Sequence, residues 1–265
     1  MRYTVIVLAV LLMLPYASAS YITISAQLAE MTISGSNAEG VFSVSNSGDE
    51  PAYSVQTSFL SAPGAVFPTL FIERLDPGKR VDTPFNANIT KTLLPGKYPV
   101  AVLTEYADAN NYPFSAVSYS FLTNNERTSS DVTGTFGEAK VQKGGAAKIK
   151  LSIVNRGAAA HNVTLIVLTS KELLAGGYAK TVTLNSEDQK SMNVEISSLS
   201  ALEGSTYNVF AVMEYDNNGK HFSSFARGSV AITKNEGLFS VYIIAGLLVV
   251  LAASIFAYNF RLKRK

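Results

Sequence analysis

Short segments in which apolar and polar residues alternate run through most of the chain. Tyr21–Ser25 reads Tyr-Ile-Thr-Ile-Ser, and Val41–Ser45 reads Val-Phe-Ser-Val-Ser. A two-residue period places alternate side chains on opposite faces of an extended strand, so it predicts half-buried β-strands. Turn-forming sequences such as Asn46–Pro51 and Asp76-Pro-Gly78 separate the segments. The pattern predicts an all-β protein with about seven strands in each half, arranged as sandwiches of antiparallel sheets.

The last two predicted strands of the first half recur in the second half. Tyr98–Ser115 contains Tyr-Pro-Val-Ala-Val-Leu-Thr-Glu-Tyr, and Tyr207–Ser223 contains Tyr-Asn-Val-Phe-Ala-Val-Met-Glu-Tyr. An offset of 109 residues relates Tyr98 to Tyr207, Glu105 to Glu214, Tyr106 to Tyr215, Asn46 to Asn155, Gly48 to Gly157 and Leu75 to Leu184. Solenoid repeats run about 20–50 residues, so a period this long indicates a duplicated domain.

These patterns divide the chain into six parts. Residues 124–131 are polar without periodicity, which is typical of a linker. The predicted parts are a signal peptide at 1–19, a first sandwich at 20–123, the linker at 124–131, a second sandwich at 132–233, a transmembrane helix at 238–258 and a basic cytoplasmic tail at 259–265.

The two ends predict where the protein is placed. Arg2, the apolar run Val5–Leu14 and the small residues before position 20 have the three parts of a secretory signal. Leu238–Tyr258 has no charged residue and is long enough to cross a bilayer. The basic tail residues are Arg261, Lys263, Arg264 and Lys265. Because positive charge stays on the cytoplasmic side, we expect a single-pass cell-membrane protein with its N-terminal bulk outside.

The predicted span also offers a contact for another helix. Gly246, Ala253 and Ala257 fall near one helical face, and small residues let two helices approach closely in a membrane. Ordinary membrane composition explains the same residues.

Composition narrows the classes of function. Five of the 22 basic residues lie at the two ends, which leaves 17 basic residues facing 20 acidic ones in the middle, so a nucleic-acid surface is not predicted. The chain has no cysteine, which favours a prokaryotic surface protein over an animal one and removes thiol chemistry and thiolate metal sites.

Three local motifs resemble those of a known family. They are the Asn-x-Gly turn at Asn46, Pro95-Gly96 before the strand that begins at Tyr98, and the hairpin sequence Glu105-Tyr-Ala-Asp108. Together they resemble the archaeal surface-layer-associated immunoglobulin-like domains, related to the CARDB and NEW3-like groups, over roughly residues 21–233. The resemblance implies two tandem immunoglobulin-like sandwiches in an envelope protein, without shared catalytic residues. The second half departs from it, because Gly204-Ser-Thr stands where the first half has Pro95-Gly-Lys.

Two acidic hairpins are the candidate metal sites. Glu105 and Asp108 lie in the first, and Glu214 and Asp216 in the second. Ca²⁺ takes several oxygen ligands from carboxylates and amides in flexible loops. Alternatively, Asn and Asp are there because tight hairpins need positive φ, for which Asn218-Gly219 is a preferred pair. We assign no cofactor.

Other residue types suggest modification and contact surfaces. Asn88-Ile-Thr90 and Asn162-Val-Thr164 are glycan acceptor sequences. His161 and His221 lack a catalytic or zinc-binding constellation, and we expect both on the surface. The aromatics Tyr53, Phe59, Phe67, Phe71, Phe85 and Phe114 form a carbohydrate platform if they face outward, although most should alternate inward. The exposed remainder around Pro63–Phe71 is the predicted contact surface.

The sequence favours a binding or structural protein over an enzyme. The first hypothesis is a membrane-anchored adhesion or surface-layer-associated protein that contacts envelope proteins or glycans. The second is an accessory subunit of a membrane transport or secretion complex. A surface hydrolase is the remote alternative, because paired carboxylates for such chemistry have no sequence signature here.

Overall fold

The computed structural model describes residues 21–61, 64–176 and 179–234, and these contain strands and no helix. No helix among them is long and apolar enough to cross a membrane. The predicted signal peptide at 1–19, the span at 238–258 and the tail lie outside the described residues. So do Gly246, Ala253 and Ala257, the four basic tail residues, and Pro63 of the predicted contact surface.

Within the described residues, eighteen strands form two units of nine. The first unit has β1 (Ile24–Leu28), β2 (Met31–Ser34), β3 (Asn37–Asn46), β4 (Ala52–Leu60), β5 (Ala65–Val66), β6 (Phe71–Leu75), β7 (Arg80–Ile89), β8 (Gly96–Ala107) and β9 (Pro113–Asn124). The second has β10 (Val132–Phe136), β11 (Glu138–Gln142), β12 (Ala146–Asn155), β13 (His161–Leu168), β14 (Leu173–Ala175), β15 (Ala179–Leu184), β16 (Gln189–Ser198), β17 (Thr206–Asn217) and β18 (Lys220–Thr233).

Both units have the same strand order. In the first, β1-β3-β7-β5 faces β6-β4-β8-β9-β2, and in the second, β10-β12-β16-β14 faces β15-β13-β17-β18-β11. β12 occupies the positions of β3 shifted by 109 residues, from 37 to 146 and from 46 to 155. The all-β prediction is confirmed, and the arrangement is that of immunoglobulin-like sandwiches.

Alternation along the strands builds one core in each unit. Phe42, Val44, Val100, Val102 and Leu122 point inward in the first unit and are buried. Leu151, Ile153, Leu165, Val209 and Met213 do the same in the second. Each core therefore forms between the two sheets of one unit, as expected for a sandwich.

Two features of the sheets differ from the prediction. Each unit has nine strands rather than about seven, because short strands such as β2, β5 and β14 are too brief to show a period. The sheets are also not wholly antiparallel, because β2 runs parallel to β9 and β11 parallel to β18. The chain crosses to the opposite sheet after β1 and after β10, and so lies beside the last strand in the same direction.

Candidate functional site

The two units are docked through the sheet β6-β4-β8-β9-β2 of the first and the sheet β15-β13-β17-β18-β11 of the second. Ala101 on β8 and Phe210 and Val212 on β17 are buried, yet they belong to neither core. Alternation predicts that these residues face away from the core of their own unit. Aromatic rings bridge the two units, since Tyr119 lies 4.1 Å from Phe225 and 5.0 Å from Phe210 between ring centroids. The outer faces of the two sheets are thus an interface.

A close backbone contact fixes one side of this interface. The His221 N–H donates to the Pro95 carbonyl at 2.8 Å, and His221 pairs with Gly96 across the units. Gly96 has a φ of +147°, and a Cβ there would lie 2.1 Å from the His221 carbonyl oxygen. The Thr128 hydroxyl donates to that same oxygen at 2.7 Å and accepts from the Lys97 N–H at 3.1 Å. Only glycine allows this approach.

The His221 imidazole is bonded on both nitrogens and stacked on the first unit. Its Nδ1 lies 2.7 Å from Asp216 Oδ1 and its Nε2 3.3 Å from Glu214 Oε1. Its ring stacks on Tyr98 with centroids 4.0 Å apart. Burial lowers the pKa of His221, but hydrogen bonds to Glu214 and Asp216, together with their charges, outweigh it and raise the pKa above 6.5. Burial and the Asp216 charge raise the pKa of Tyr98 to about 12.

A second set of hydrogen bonds joins the two units around a buried carboxylate. Glu172, only 3% exposed, accepts from the Ser115 N–H and, at 2.7 Å, from the Ser115 hydroxyl. The Lys171 N–H donates to the same hydroxyl at 2.8 Å, while its ammonium pairs with Glu105. Residues of the β13–β14 connection are thereby tied to the β8–β9 hairpin.

A cleft of about 550 Å³ lies between the two units. The residues that line it come from both units: Tyr21–Ile24, Glu50, Tyr106, Asp108, Phe114–Val117, Ser170, Glu172, Leu202 and Ser205–Asn208. Burial, and then the Glu172 charge, raise the pKa of Tyr106. The pKa of Tyr207 is also raised, by burial first, against the hydrogen bond from the Leu202 N–H. Both phenols therefore stay neutral near pH 7. Clefts at domain interfaces are common binding sites.

The predicted carboxylates have protein partners. Glu105 pairs with Lys171, and Glu214 and Asp216 contact His221. Asp108 accepts from the Asn110 and Tyr112 N–H groups at 2.8 Å each. Asn111 and Asn218 have positive φ, as the hairpin interpretation required. Within the described ranges, no group of three or more His, Asp or Glu side chains is arranged to hold a metal ion.

The histidine prediction was wrong. His161 begins β13, but it is 4% exposed and stacks on Tyr215 at 4.2 Å. His221 follows the hairpin turn as expected, yet its side chain is only 12% exposed. Each imidazole lies against an aromatic ring of its own, Tyr215 for His161 and Tyr98 for His221. Pairing between strands that are distant in sequence sets the positions of these rings.

The two sequons lie on strands, and the predicted aromatic residues divide among the core, the cleft and the surface. Asn88 and Asn162 are both exposed on strands. Phe59 stacks on Phe67 at 4.9 Å and lies 5.6 Å from Phe85, so these three rings pack together at the core. Phe71 is 61% exposed. Phe114 stacks on Tyr106 at the cleft, and Arg74 lies over Tyr53.

Sequence reasoning missed the residues that join the units. Ser115, Glu172, Thr128 and Phe225 have no motif, and their partners lie more than 50 residues away in sequence or in the other unit. His221 did carry a signal. It faces Asp216 across a hairpin whose register the Asn218-Gly219 turn determines.

No protein-family model and no curated protein matches the chain. Solved structures resemble it weakly. A Porphyromonas gingivalis protein of unknown function is 14% identical with a TM-score of 0.31, covering 77% of this chain and 98% of that one. The Escherichia coli chaperone DraB is 15% identical with a TM-score of 0.32 over 77% and 98%. A Salmonella alpha-2-macroglobulin is 9% identical with a TM-score of 0.35, and this chain spans 16% of its length.

Proposed function

We propose that this protein is a membrane-anchored component of the cell envelope that uses two docked immunoglobulin-like units to bind a protein partner. The signal-like start and the apolar segment at 238–258 support the location. The observation that carries the binding role is the cleft of about 550 Å³, whose lining residues come from both units. Neither unit alone has it.

The surface-layer association implied by the family resemblance remains part of this proposal. Contact with envelope glycans is its other form, supported by the exposed Phe71 and by exposed Leu60 and Val66 nearby in sequence.

A second candidate, an accessory subunit of a transport or secretion complex, has one observation in its favour. β18 ends at Thr233, so only residues 234–237 separate the second unit from the predicted span. Such a short connection would hold that unit close to the bilayer, where it could contact a neighbouring membrane protein.

Affinity purification of the full-length protein from its own membranes in mild detergent, followed by mass spectrometry, tests both candidates. Recovery of surface-layer proteins or envelope glycans supports the first. A polytopic membrane protein at near one to one supports the second and contradicts the first. If wild-type protein retains neither class after crosslinking in intact cells, both are wrong.

A further inference from the structure

Glu172 is a buried carboxylate without a counter-charge. Its two oxygens accept from the N–H and the hydroxyl of Ser115, and the described part of the chain gives it no salt bridge. The adjacent ammonium, that of Lys171, is engaged by Glu105. Buried charges in proteins are normally paired, because an unpaired charge loses its hydration without compensation. The side chain also lines the cleft, which is where a counter-charge has room.

The rest of the cleft favours a cation as well. Glu50 and Asp108 join Glu172 in its lining, which contains no Lys, Arg or His. Tyr106, Phe114 and Tyr207 supply aromatic surface to the same lining. Aromatic faces attract cations and also cover the methylene stems of long basic side chains.

A second polar group at the cleft lacks a partner. Ser170 is 3% exposed, and its hydroxyl has no hydrogen-bond partner among the described residues. It lines the cleft two residues from Glu172. Buried hydroxyls are almost always bonded, so an unpartnered one near a carboxylate without a counter-charge indicates a missing donor or acceptor. An ammonium or guanidinium group brings several N–H donors at once.

We propose that this cleft binds a positively charged lysine or arginine side chain presented by a protein partner, with Glu172 as its counter-charge. This inference rests on the proposed binding function and names the chemistry of the partner. The volume of about 550 Å³ lies within the range of roughly 300–1,000 Å³ typical of ligand sites and accommodates one long side chain with its flanking backbone.

Calorimetric titration of the full-length protein in detergent with capped tripeptides tests this inference. The probes are Gly-Lys-Gly and Gly-Arg-Gly, with Gly-norleucine-Gly and Gly-acetyllysine-Gly as neutral matches, all acetylated and amidated. We expect at least one basic probe to bind roughly tenfold or more tightly than both neutral ones. The coupling energy of a close, desolvated charge pair exceeds the free energy that a tenfold difference in affinity represents. Glu172→Gln keeps the side-chain shape and should abolish this preference.

Glu39→Gln is the matched control, because it removes one negative charge outside the cleft lining and should leave the preference intact. Should Glu172→Gln fail to fold, Glu50→Gln, at a less buried part of the lining, should still weaken basic-probe binding several-fold. Equal binding of basic and neutral probes overturns the inference, as does a preference that survives substitution of Glu172.

The same variant separates this inference from the proposed function. If wild-type and Glu172→Gln proteins capture the same partner from membranes equally well, the binding function stands and the cleft inference is wrong. If wild type captures no partner while basic tripeptides bind and depend on Glu172, the preference of the cleft for a basic side chain stands, and the proposed protein partner is wrong.

Discussion

Asn46 and Asn155 each join the two sheets of one unit with a single side chain. Asn46, at the end of β3, donates to the Glu50 and Leu75 carbonyls and accepts from the Gly48 N–H. Asn155 donates to the Ala159, Leu184 and Asn185 carbonyls and accepts from the Gly157 N–H. The duplicated Asn-x-Gly and leucine positions are thus explained by one network that both units keep.

Replacing either asparagine by alanine should lower the free energy of unfolding by about 1–3 kcal/mol, because buried carbonyls lose their donor. The two losses in unfolding free energy should be similar, because the two asparagines form similar hydrogen-bond networks. Chemical denaturation of the full-length chain in detergent measures them. Asn86→Ala, on an exposed position of β7, should change the free energy by less than about 0.5 kcal/mol. A loss at Asn46 no larger than that of this control would contradict the explanation.

Gly96 begins β8 and Gly204 lies just before the equivalent strand β17, and both have positive φ. A Cβ at Gly96 meets the His221 carbonyl at 2.1 Å, whereas one at Gly204 meets nothing within 4 Å. Gly204→Ala should therefore cost only the backbone strain, about 1–2 kcal/mol. Gly96→Ala should cost more in thermal or chemical unfolding, and it should also loosen the contact between the units. Equal costs would show that the close approach has no energetic weight.

At the scale of elements, β8 and β9 of the first unit and β17 and β18 of the second carry the interface. Their inward side chains build the two cores, and their outward side chains meet those of the other unit. The Tyr119–Phe225 contact, with centroids 4.1 Å apart, is the shortest ring contact among those joining Tyr119 to the second unit.

A double-mutant cycle on this contact measures the docking directly. Tyr119→Ala and Phe225→Ala should each destabilise the protein, and their coupling energy should be about 0.5–1.5 kcal/mol. The pair Phe59→Ala and Phe225→Ala, one in the first core and one at the interface, should be additive within about 0.5 kcal/mol. Coupling near zero for Tyr119 and Phe225 would mean that the units are not docked in solution.

For the whole molecule, His221 makes the stability of the folded protein depend on pH. The groups that face its ring are Glu214, Asp216 and Tyr98. The folded-state pKa of His221 is raised above 6.5, so its charged form stabilises the folded protein fully below about pH 6.5. That contribution is lost as the pH rises through the folded-state pKa. Tyr98, with a pKa of about 12, remains neutral throughout.

The difference in unfolding free energy between wild type and His221→Gln should thus be largest near pH 6 and shrink toward pH 9. Denaturation series at several pH values measure it. Glu214→Gln removes one partner of the imidazolium and should flatten the wild-type dependence, whereas Glu39→Gln should leave it unchanged. A difference that grows with pH would contradict the raised pKa.

The sequence by itself determined the class of fold, the duplication and the positions of most long strands. Those features depend on local signals that the sequence shows directly. Examples are the two-residue period at Val41–Ser45 and the turn at Asn218-Gly219. The sequence also showed that Asn46 and Asn155 are equivalent positions. A repeat can be seen in the sequence even when the contacts of its residues are unknown.

Only the tertiary structure decided how the two units meet. Glu172 bonds Ser115 and His221 stacks on Tyr98 across the interface, and no local pattern encodes which outward face of a strand will be covered. The short strands β2 and β11 also depend on pairing with β9 and β18 rather than on their own few residues. The cleft is therefore a product of docking, since its walls come from both units and the buried carboxylate comes from a connection between strands.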